Sequence, residues 1–409
     1  MNKDPQEKKM DAVERLEAAT KVKRKKALVV FGLVLILALT FLAYLPTLSN
    51  DFIYLDDDSH LLNNPDLRVL DWAHIKRIFT TTINTTYIPL SLLSFAFEYH
   101  FFQYDPFIYH LNNLLLHLGV TALVYVFALQ VGLPLFAASA ATALFGLHPI
   151  HVESVCWITE RKDVLYAFFY MGALCLYWQY LSASMKKTVY YAAAVMCGIL
   201  SMLAKPMALT LPLVMLLCDW LKGRKWGVEM IVDKIPHTLY VVPLTWLTLS
   251  ANTGMVKPSL ELSGIITWVW TFVFYIYKFL LPVSLIPRYM PPEPVTLANP
   301  VYATSVALFV VLIVAFIRWR KHRWLVFAAA YYFFSIFILL RANTVVDTDV
   351  VADRFMYLPC LGICFLFGYG VDKWMAAAKA KGGPWRGVII VGLIVLAGWL
   401  SVKTFHQTK

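Results

Sequence analysis

Asn50-Asp51-Phe52-Ile53-Tyr54-Leu55-Asp56-Asp57-Asp58 follows directly on the first long apolar run of the chain, residues 27–45. Three adjacent carboxylates at the mouth of such a run have no packing role, because like charges repel at short range and want water or a cation. A bilayer protein that puts them at a boundary uses them to stop a helix in a solvated turn, or for chemistry or ion binding. The run before them has spanning length, about 19 residues, and no small-residue cleavage site, so it reads as a retained span rather than a removable leader.

The composition agrees with a bilayer setting. Of 409 residues 60% are hydrophobic and 15% charged, and the mean hydropathy is +0.64, far outside the soluble globular range. The 13 Trp and 22 Tyr suit a many-span protein, since their rings prefer the headgroup level. A formal charge of +11 is accounted for by basic residues that hold topology, and no nucleic-acid partner is needed to explain it. Cys156, Cys175, Cys197, Cys218, Cys360 and Cys364 lie in or beside apolar runs without metal-ligand spacing,.

Outward from the Asp cluster, residues 1–26 are a polar tail ending in Lys21-Val22-Lys23-Arg24-Lys25-Lys26, which the positive-inside rule puts in the cytoplasm. The first span then carries Asp56, Asp57 and Asp58 to the extracytoplasmic side. Residues 46–105 form the first outer loop. Its alternation of apolar patches with Arg68, Lys76 and Arg77 predicts short helices lying in the interface, a second one over Pro89–Phe102,. Further spans are expected at about 106–130, 134–150, 163–183, 189–204, 206–221, 236–251, 300–317, 324–340, 357–372 and 387–404, giving about eleven crossings. The segment 264–282 is left as a re-entrant or interfacial helix, because both its flanks face outward. A membrane domain of residues 27–404 and a short extracytoplasmic tail of 405–409 complete the organisation.

On this topology the unusual polar residues gather on the outer face. They are Asp56 to Asp58, then His148, His151, Glu153, Arg161, Lys162 and Asp163, then Lys205, Arg288, Asp347, Asp349, Asp353 and Arg354. Carboxylates take a proton or hold a cation, and isolated Arg and Lys at the lipid boundary grip phosphate through charge-assisted hydrogen bonds. Plainer readings stand beside these. His148-Pro149-Ile150-His151-Val152-Glu153 is more simply a turn packed by imidazoles than a metal site. Lys205 can snorkel, and Arg354 can pair with Asp353. His110, Asn113 and His117, at spacings of three and four, suggest an interhelical hydrogen-bond network. Asn84-Thr85-Thr86 is a glycosylation sequon, weak alone.

Taken together, several motifs resemble a known family. They are Phe52-Ile53-Tyr54-Leu55-Asp56-Asp57-Asp58 with Asn64-Pro65-Asp66-Leu67, Tyr87-Ile88-Pro89-Leu90, Tyr109-His110-Leu111-Asn112-Asn113-Leu114-Leu115-Leu116-His117, and His148-Pro149-Ile150-His151-Val152-Glu153-Ser154-Val155 with Glu160-Arg161-Lys162-Asp163. Ala204-Lys205-Pro206, Leu280-Leu281-Pro282 and Ala352-Asp353-Arg354-Phe355-Met356-Tyr357-Leu358-Pro359 extend the likeness over nearly all of the chain after residue 45. The pattern resembles the membrane module of the transmembrane-and-tetratricopeptide-repeat O-mannosyltransferases and their bacterial relatives, within the GT-C glycosyltransferases. No repeat of fixed period appears in these 409 residues,.

That resemblance implies an all-α polytopic bundle that moves a sugar, with mannose the family's example, from a polyprenyl-phosphate donor to a hydroxyl acceptor on the extracytoplasmic face. The acceptor class stays open between protein Ser/Thr, glycan and lipid. The family's acidic pair falls on Asp56 and Asp57, giving the expected general base, and a neighbouring carboxylate would raise the base's pKa. Asp58, His148, His151 and Glu153 are expected to position acceptor or sugar, and Lys205, Arg354, Arg161 and Arg288 to hold the donor phosphate. A divalent cation on Asp57, Asp58 and Glu153 is left open. The bacterial-type motifs favour a plasma membrane, and the endoplasmic reticulum would satisfy the same physics. The rival readings are a transporter, which would place such groups at the bilayer midplane on broken helices, and a catalytically inactive lipid-binding scaffold.

Overall fold

The computed structural model describes residues 5–84, 86–251, 261–340 and 351–409, with the side chains of 5–19 and 251 outside that description. Thr85 of the sequon, Asp347 and Asp349 therefore lie outside the described residues. Within them the chain is helical, and the β pairing consists of two isolated bridges, Ile83 with Thr86 and Tyr289 with Val351. The α-helices in chain order are α1 (Pro5–Tyr44), α2 (Trp72–Thr80), α3 (Pro89–Phe102), α4 (Pro106–Gln130), α5 (Leu135–Gly146), α6 (Val152–Cys156), α7 (Arg161–Ser182) and α8 (Lys187–Ala204). They continue with α9 (Leu211–Lys222), α10 (Val228–Val232), α11 (Ile235–Ala251), α12 (Leu262–Leu280), α13 (Pro300–Trp319), α14 (Arg323–Ile336), α15 (Leu361–Lys381) and α16 (Trp385–Gln407).

Local chemistry sets many of the starts. Proline opens α3, α4 and α13, where its missing N–H costs nothing. Asp105 and Asn299 cap α4 and α13 through Phe107 N at 3.2 Å and Val301 N at 3.0 Å,.

Seven of the described helices are long and apolar enough to cross a membrane, or eight if the bent pair Leu135–Gly146 and Pro149–Cys156 is one span. The chain is an integral, multi-pass membrane protein. The expected eleven crossings are not all single long helices. The run 206–221 breaks into a 3-10 turn, Pro206–Thr210, and the 12-residue α9, since Pro206 and Pro212 each remove an N–H donor. The run 324–340 becomes the 14-residue α14 followed by a 3-10 turn, Phe337–Leu339.

The segment expected to re-enter is α12, a continuous helix of 19 residues that is itself long and apolar enough to cross. Its Thr267 and Thr271 hydroxyls donate to carbonyls one turn back, and Thr267, Trp270, Tyr275 and Lys278 are buried, so its polar groups need no place at the surface.

The interior is built from α4, α5, α7, α8 and α15 around fully buried Phe127, Tyr170, Tyr177 and Phe365. Around it α13 and α16 leave Val310, Val311, Ile394 and Val395 exposed, as helices do when lipid takes the place of water. The first loop has a small core of its own, with Leu61, Leu67, Ile78, Leu92, Phe95 and Tyr109. In it α3 has the expected bounds, and it packs into the bundle on one side, burying Ser91, Leu92, Phe95 and Glu98.

Candidate active site

Five consecutive residues, Thr159 to Asp163, which run from the link after α6 into the first turn of α7, organise the site. Thr159 donates its backbone N–H to Asp57 Oδ1 at 3.0 Å, and the second oxygen of Asp57 accepts from Ile53 N at 3.0 Å. Glu160, 1% exposed, lies next to three cations: Lys162 Nζ at 3.0 Å, Arg354 Nε at 3.5 Å and Lys205 Nζ at 3.9 Å. Arg161 turns away from them. Its guanidinium meets Glu98 and Asn113 and donates to the Tyr109 carbonyl at 2.8 Å, tying α7 to α3 and α4. Lys162 reaches Asp56 Oδ2 at 3.5 Å, and Asp163 pairs with Lys205 and accepts from Ser154 Oγ at 3.1 Å.

The other wall comes from the 3-10 turn Asp353–Met356. Arg354 forms an ion pair with Glu153 Oε1 and donates its backbone N–H to Glu153 Oε2 at 2.8 Å. Its guanidinium lies over the Trp157 and Phe355 rings, at 5.6 and 5.1 Å,. Burial works against the Arg354 charge, and the nearby Glu160 and Glu153 outweigh it, so its pKa is raised.

Asp56, Glu153, Glu160 and Asp163 thus face Lys162, Lys205 and Arg354 in one cluster. Asp56 is its outlet to solvent, 41% exposed where Glu160 is 1% and Lys162 11%.

Of the residues the sequence suggested, Asp56, Glu153, Lys205 and Arg354 are brought together. The two leading aspartates differ: Asp57 is buried with both oxygens on backbone amides, and burial pushes its carboxyl up while those amides pull the other way. Asp58 accepts from Asn63 Nδ2 at 2.7 Å. Arg161, expected on the donor phosphate, is instead spent on the α3–α4 contact, because neighbouring positions at a helix start point about 100° apart. Arg288 is exposed, next to Pro287, whose carbonyl accepts from Arg354 at 3.4 Å.

His148 and His151 lie inside the bundle, apart from the cluster's contacts. His148 Nδ1 accepts from Ile150 N and Nε2 donates to the Phe279 carbonyl at 2.9 Å, while the ring stacks on Phe279. His151 packs on Phe145 and Tyr357. Both rings are packed against aromatic side chains, and neither is among the cluster's contacts. His110, Asn113 and His117 make the interhelical bonds their spacing implied, to Thr47, the Trp157 and Ile158 carbonyls, and Tyr357. Among the described residues no three His, Cys, Asp or Glu side chains are grouped to hold a metal ion, and Asp57, Asp58 and Glu153 each have the other partners given above.

Sequence reasoning did not single out Glu160 or His60 as site residues. Four ionisable residues in a row at the mouth of an apolar run, 160–163, were the available signal for Glu160.

No protein-family model matches the chain. Over 363 residues it is 24% identical to protein O-mannosyl-transferase F38B6.6 of Caenorhabditis elegans, covering 82% of this chain and 50% of that one. It is 29% identical over 214 residues to protein O-mannosyl-transferase TMTC4 of Homo sapiens, covering 46% of this chain and 29% of that one. With protein O-mannosyl-transferase tmtc2 of Xenopus laevis the identity is 33% over 213 residues, 48% of this chain and 25% of that one. The chain thus spans half or less of the length of these relatives, and it resembles their membrane module, as the motifs implied.

Two solved structures overlap it more loosely. ArnT from Cupriavidus metallidurans bound to undecaprenyl phosphate has a TM-score of 0.45 at 12% identity, over 89% of this chain and 63% of that one. The Archaeoglobus fulgidus oligosaccharyltransferase has a TM-score of 0.46 at 12% identity, over 91% and 56%.

Proposed function

We propose that the chain is a GT-C-type glycosyltransferase that moves a sugar, with mannose the first candidate, from a polyprenyl-phosphate donor to a hydroxyl acceptor on the extracytoplasmic face. The observation that carries this reading is the cluster of Lys162, Lys205 and Arg354 around buried Glu160, with the half-exposed carboxylate of Asp56 at its edge. Its chemistry matches what such a transfer needs: a base for the acceptor and positive charge for a departing phosphate. The similarity to protein O-mannosyl-transferases supports the sugar-transfer class.

In the proposed reaction Asp56 takes the acceptor's hydroxyl proton as the acceptor oxygen bonds to the anomeric carbon. The bond from that carbon to the phosphate oxygen breaks, its electron pair leaves with the polyprenyl phosphate, and the anomeric configuration inverts. Lys162 holds the Asp56 side chain in place, and Lys205 and Arg354 neutralise the leaving phosphate. Each cation already has an internal carboxylate, so the phosphate binds by exchange: it takes the place of Glu153 or Asp163 on Arg354 or Lys205. Asp57 anchors the loop that carries the base.

The test is transfer of labelled sugar from polyprenyl-phosphate mannose, and from a panel of other polyprenyl-phosphate sugars, into endogenous acceptors in membranes. Asp56→Asn is expected to lower the rate by about 10²-fold or more with normal insertion. Asp57→Asn is expected to lower thermal stability by about 1–3 kcal/mol, because its amide group puts an N–H against a backbone N–H. Full activity in the Asp56 variant would sink the general-base reading.

A further inference from the structure

The π-helical turn Asp58–Leu62, which begins at the third aspartate, carries His60, which is 3% exposed. Single π turns recur at functional sites because the extra residue re-aims a side chain. Here it turns His60 back over the residue four before it: Nδ1 lies 3.0 Å from the backbone carbonyl oxygen of Asp56. Nδ1 also lies 3.2 Å from Ser59 Oγ; a carbonyl only accepts, so the contact with Asp56 assigns the proton to Nδ1, with Ser59 Oγ as its second acceptor, and leaves Nε2 bare in the neutral ring. The same carbonyl accepts from Ser59 Oγ at 3.3 Å, and Ser59 Oγ in turn accepts from Asn84 Nδ2 at 2.8 Å.

Asp56 itself lacks the amide bonds that fix Asp57. Among the described residues its side chain is held by Lys162 alone, at 3.5 Å, while its peptide oxygen has two side-chain donors. A carboxylate with 41% exposure gains a defined direction only if its backbone is fixed, because its first side-chain torsion starts from that backbone.

From this geometry we infer that His60 is a positioning residue for the proposed base: its Nδ1–H fixes the Asp56 peptide so that the carboxylate meets Lys162 and faces the acceptor. The inference rests on the general-base reading above. The ring's surroundings suit the part. Burial first, and then the Lys162 charge, hold His60 below the ordinary histidine range, against the opposing pull of Asp56 and Glu160. A neutral ring donates to the Asp56 carbonyl without adding a cation that would compete with Lys162 for the carboxylate.

The two nitrogens can be separated by substitution, since the Asn side-chain amide reproduces the place of Nδ1 and the Gln amide that of Nε2. His60→Ala, His60→Asn, His60→Gln and Asp56→Asn are compared with the unaltered full chain in membranes, with polyprenyl-phosphate mannose as donor and equal amounts of inserted protein. His60→Ala and His60→Gln are expected to lower the rate at saturating donor by about tenfold or more with the donor KM unchanged, and His60→Asn to restore it to within about threefold. Ala equal to the unaltered chain, Asn no better than Ala, Gln rescuing where Asn does not, or a loss confined to KM would each overturn the inference. Full activity in Asp56→Asn, whatever the His60 variants do, would instead overturn the general-base reading on which it rests.

Discussion

At the residue scale the Asp353 carboxyl shows how burial and function can share one turn. Asp353 is 4% exposed, both of its oxygens accept from Tyr289 Oη at 3.0 and 3.1 Å, and the next residue is Arg354 of the cluster. Burial pushes the carboxyl up from 3.8 to about 7, with the Tyr289 hydrogen bond and the Lys278 charge pulling the other way. The folded protein therefore binds more protons than the unfolded chain between those two values, and the contribution of Asp353 to stability is lost as pH rises through about 7,. Thermal midpoints in detergent are expected to fall as pH is raised from about 4 to about 8, with Asp353→Asn removing that part of the fall. The change is at most about 4 kcal/mol. An unchanged slope in the variant would show that Asp353 does not hold its proton in the fold. From sequence, Asp353 and Arg354 read equally well as partners of each other. Their actual partners, Tyr289 and Glu153, lie 64 and 201 residues away, beyond any local pattern.

At the element scale the helix contacts rest on small residues, as close packing in lipid requires. A Cβ added at Gly362 would lie 2.4 Å from the Ala328 carbonyl oxygen and 3.2 Å from Tyr332 N, so α15 and α14 touch there backbone to backbone. A Cβ added at Gly368 would lie 2.8 Å from the Ala137 carbonyl oxygen, where α15 meets α5. Gly362→Ala is expected to cost about 1–3 kcal/mol by forcing the helices apart. Gly392→Ala on α16, with nothing within 4 Å, is expected to be neutral or slightly stabilising. Thermal unfolding in detergent distinguishes them, and equal midpoints would refute the close crossing. The elements themselves were partly legible. The bounds expected for Pro89–Phe102 and for the span at about 106–130 agree with α3 and α4, both of which open on proline. The 3-10 turn Pro206–Thr210 was not legible, since an apolar run looks the same whether or not its hydrogen bonds shift from one period to another.

At the scale of the whole molecule, α7 joins two polar clusters. Glu160, Lys162 and Asp163 stand at its start, and near its end Tyr177 donates to both oxygens of buried Asp219 at 2.9 Å, beside Lys234. Its 22 residues are about 33 Å long at 1.5 Å per residue, the thickness of a hydrocarbon core. From Glu160 to Tyr177 the rise is about 25 Å, so the two clusters are expected to lie toward opposite faces of the bilayer. Cysteine labelling tests which is outside, with a low background because five of the six native cysteines are buried and Cys197 is half-buried. Tyr54, 86% exposed, lies in the first loop, and Met185, 77% exposed, joins α7 to α8. A membrane-impermeant maleimide is expected to label Tyr54→Cys in intact cells and Met185→Cys only after permeabilisation. The reverse pattern would invert the proposed orientation.

Hydropathy and charge, which act within a window of some twenty residues, settled that this chain is a multi-pass helical membrane protein and placed the acidic first loop directly after a span. The motifs of that loop and of 148–163 were enough to name the relatives it resembles. The partition of the Asp pair into an amide-bound Asp57 and a half-exposed Asp56, the turning of Arg161 away from the cluster, and the meeting of Lys162, Lys205 and Arg354 around Glu160 came only with the fold. Each depends on which side chains from α3, α4, α7, α8 and the turn at Asp353 share one low-dielectric space. Ion pairing there is decided by distances of 3 to 4 Å between residues far apart in the chain, to which local periodicity is blind.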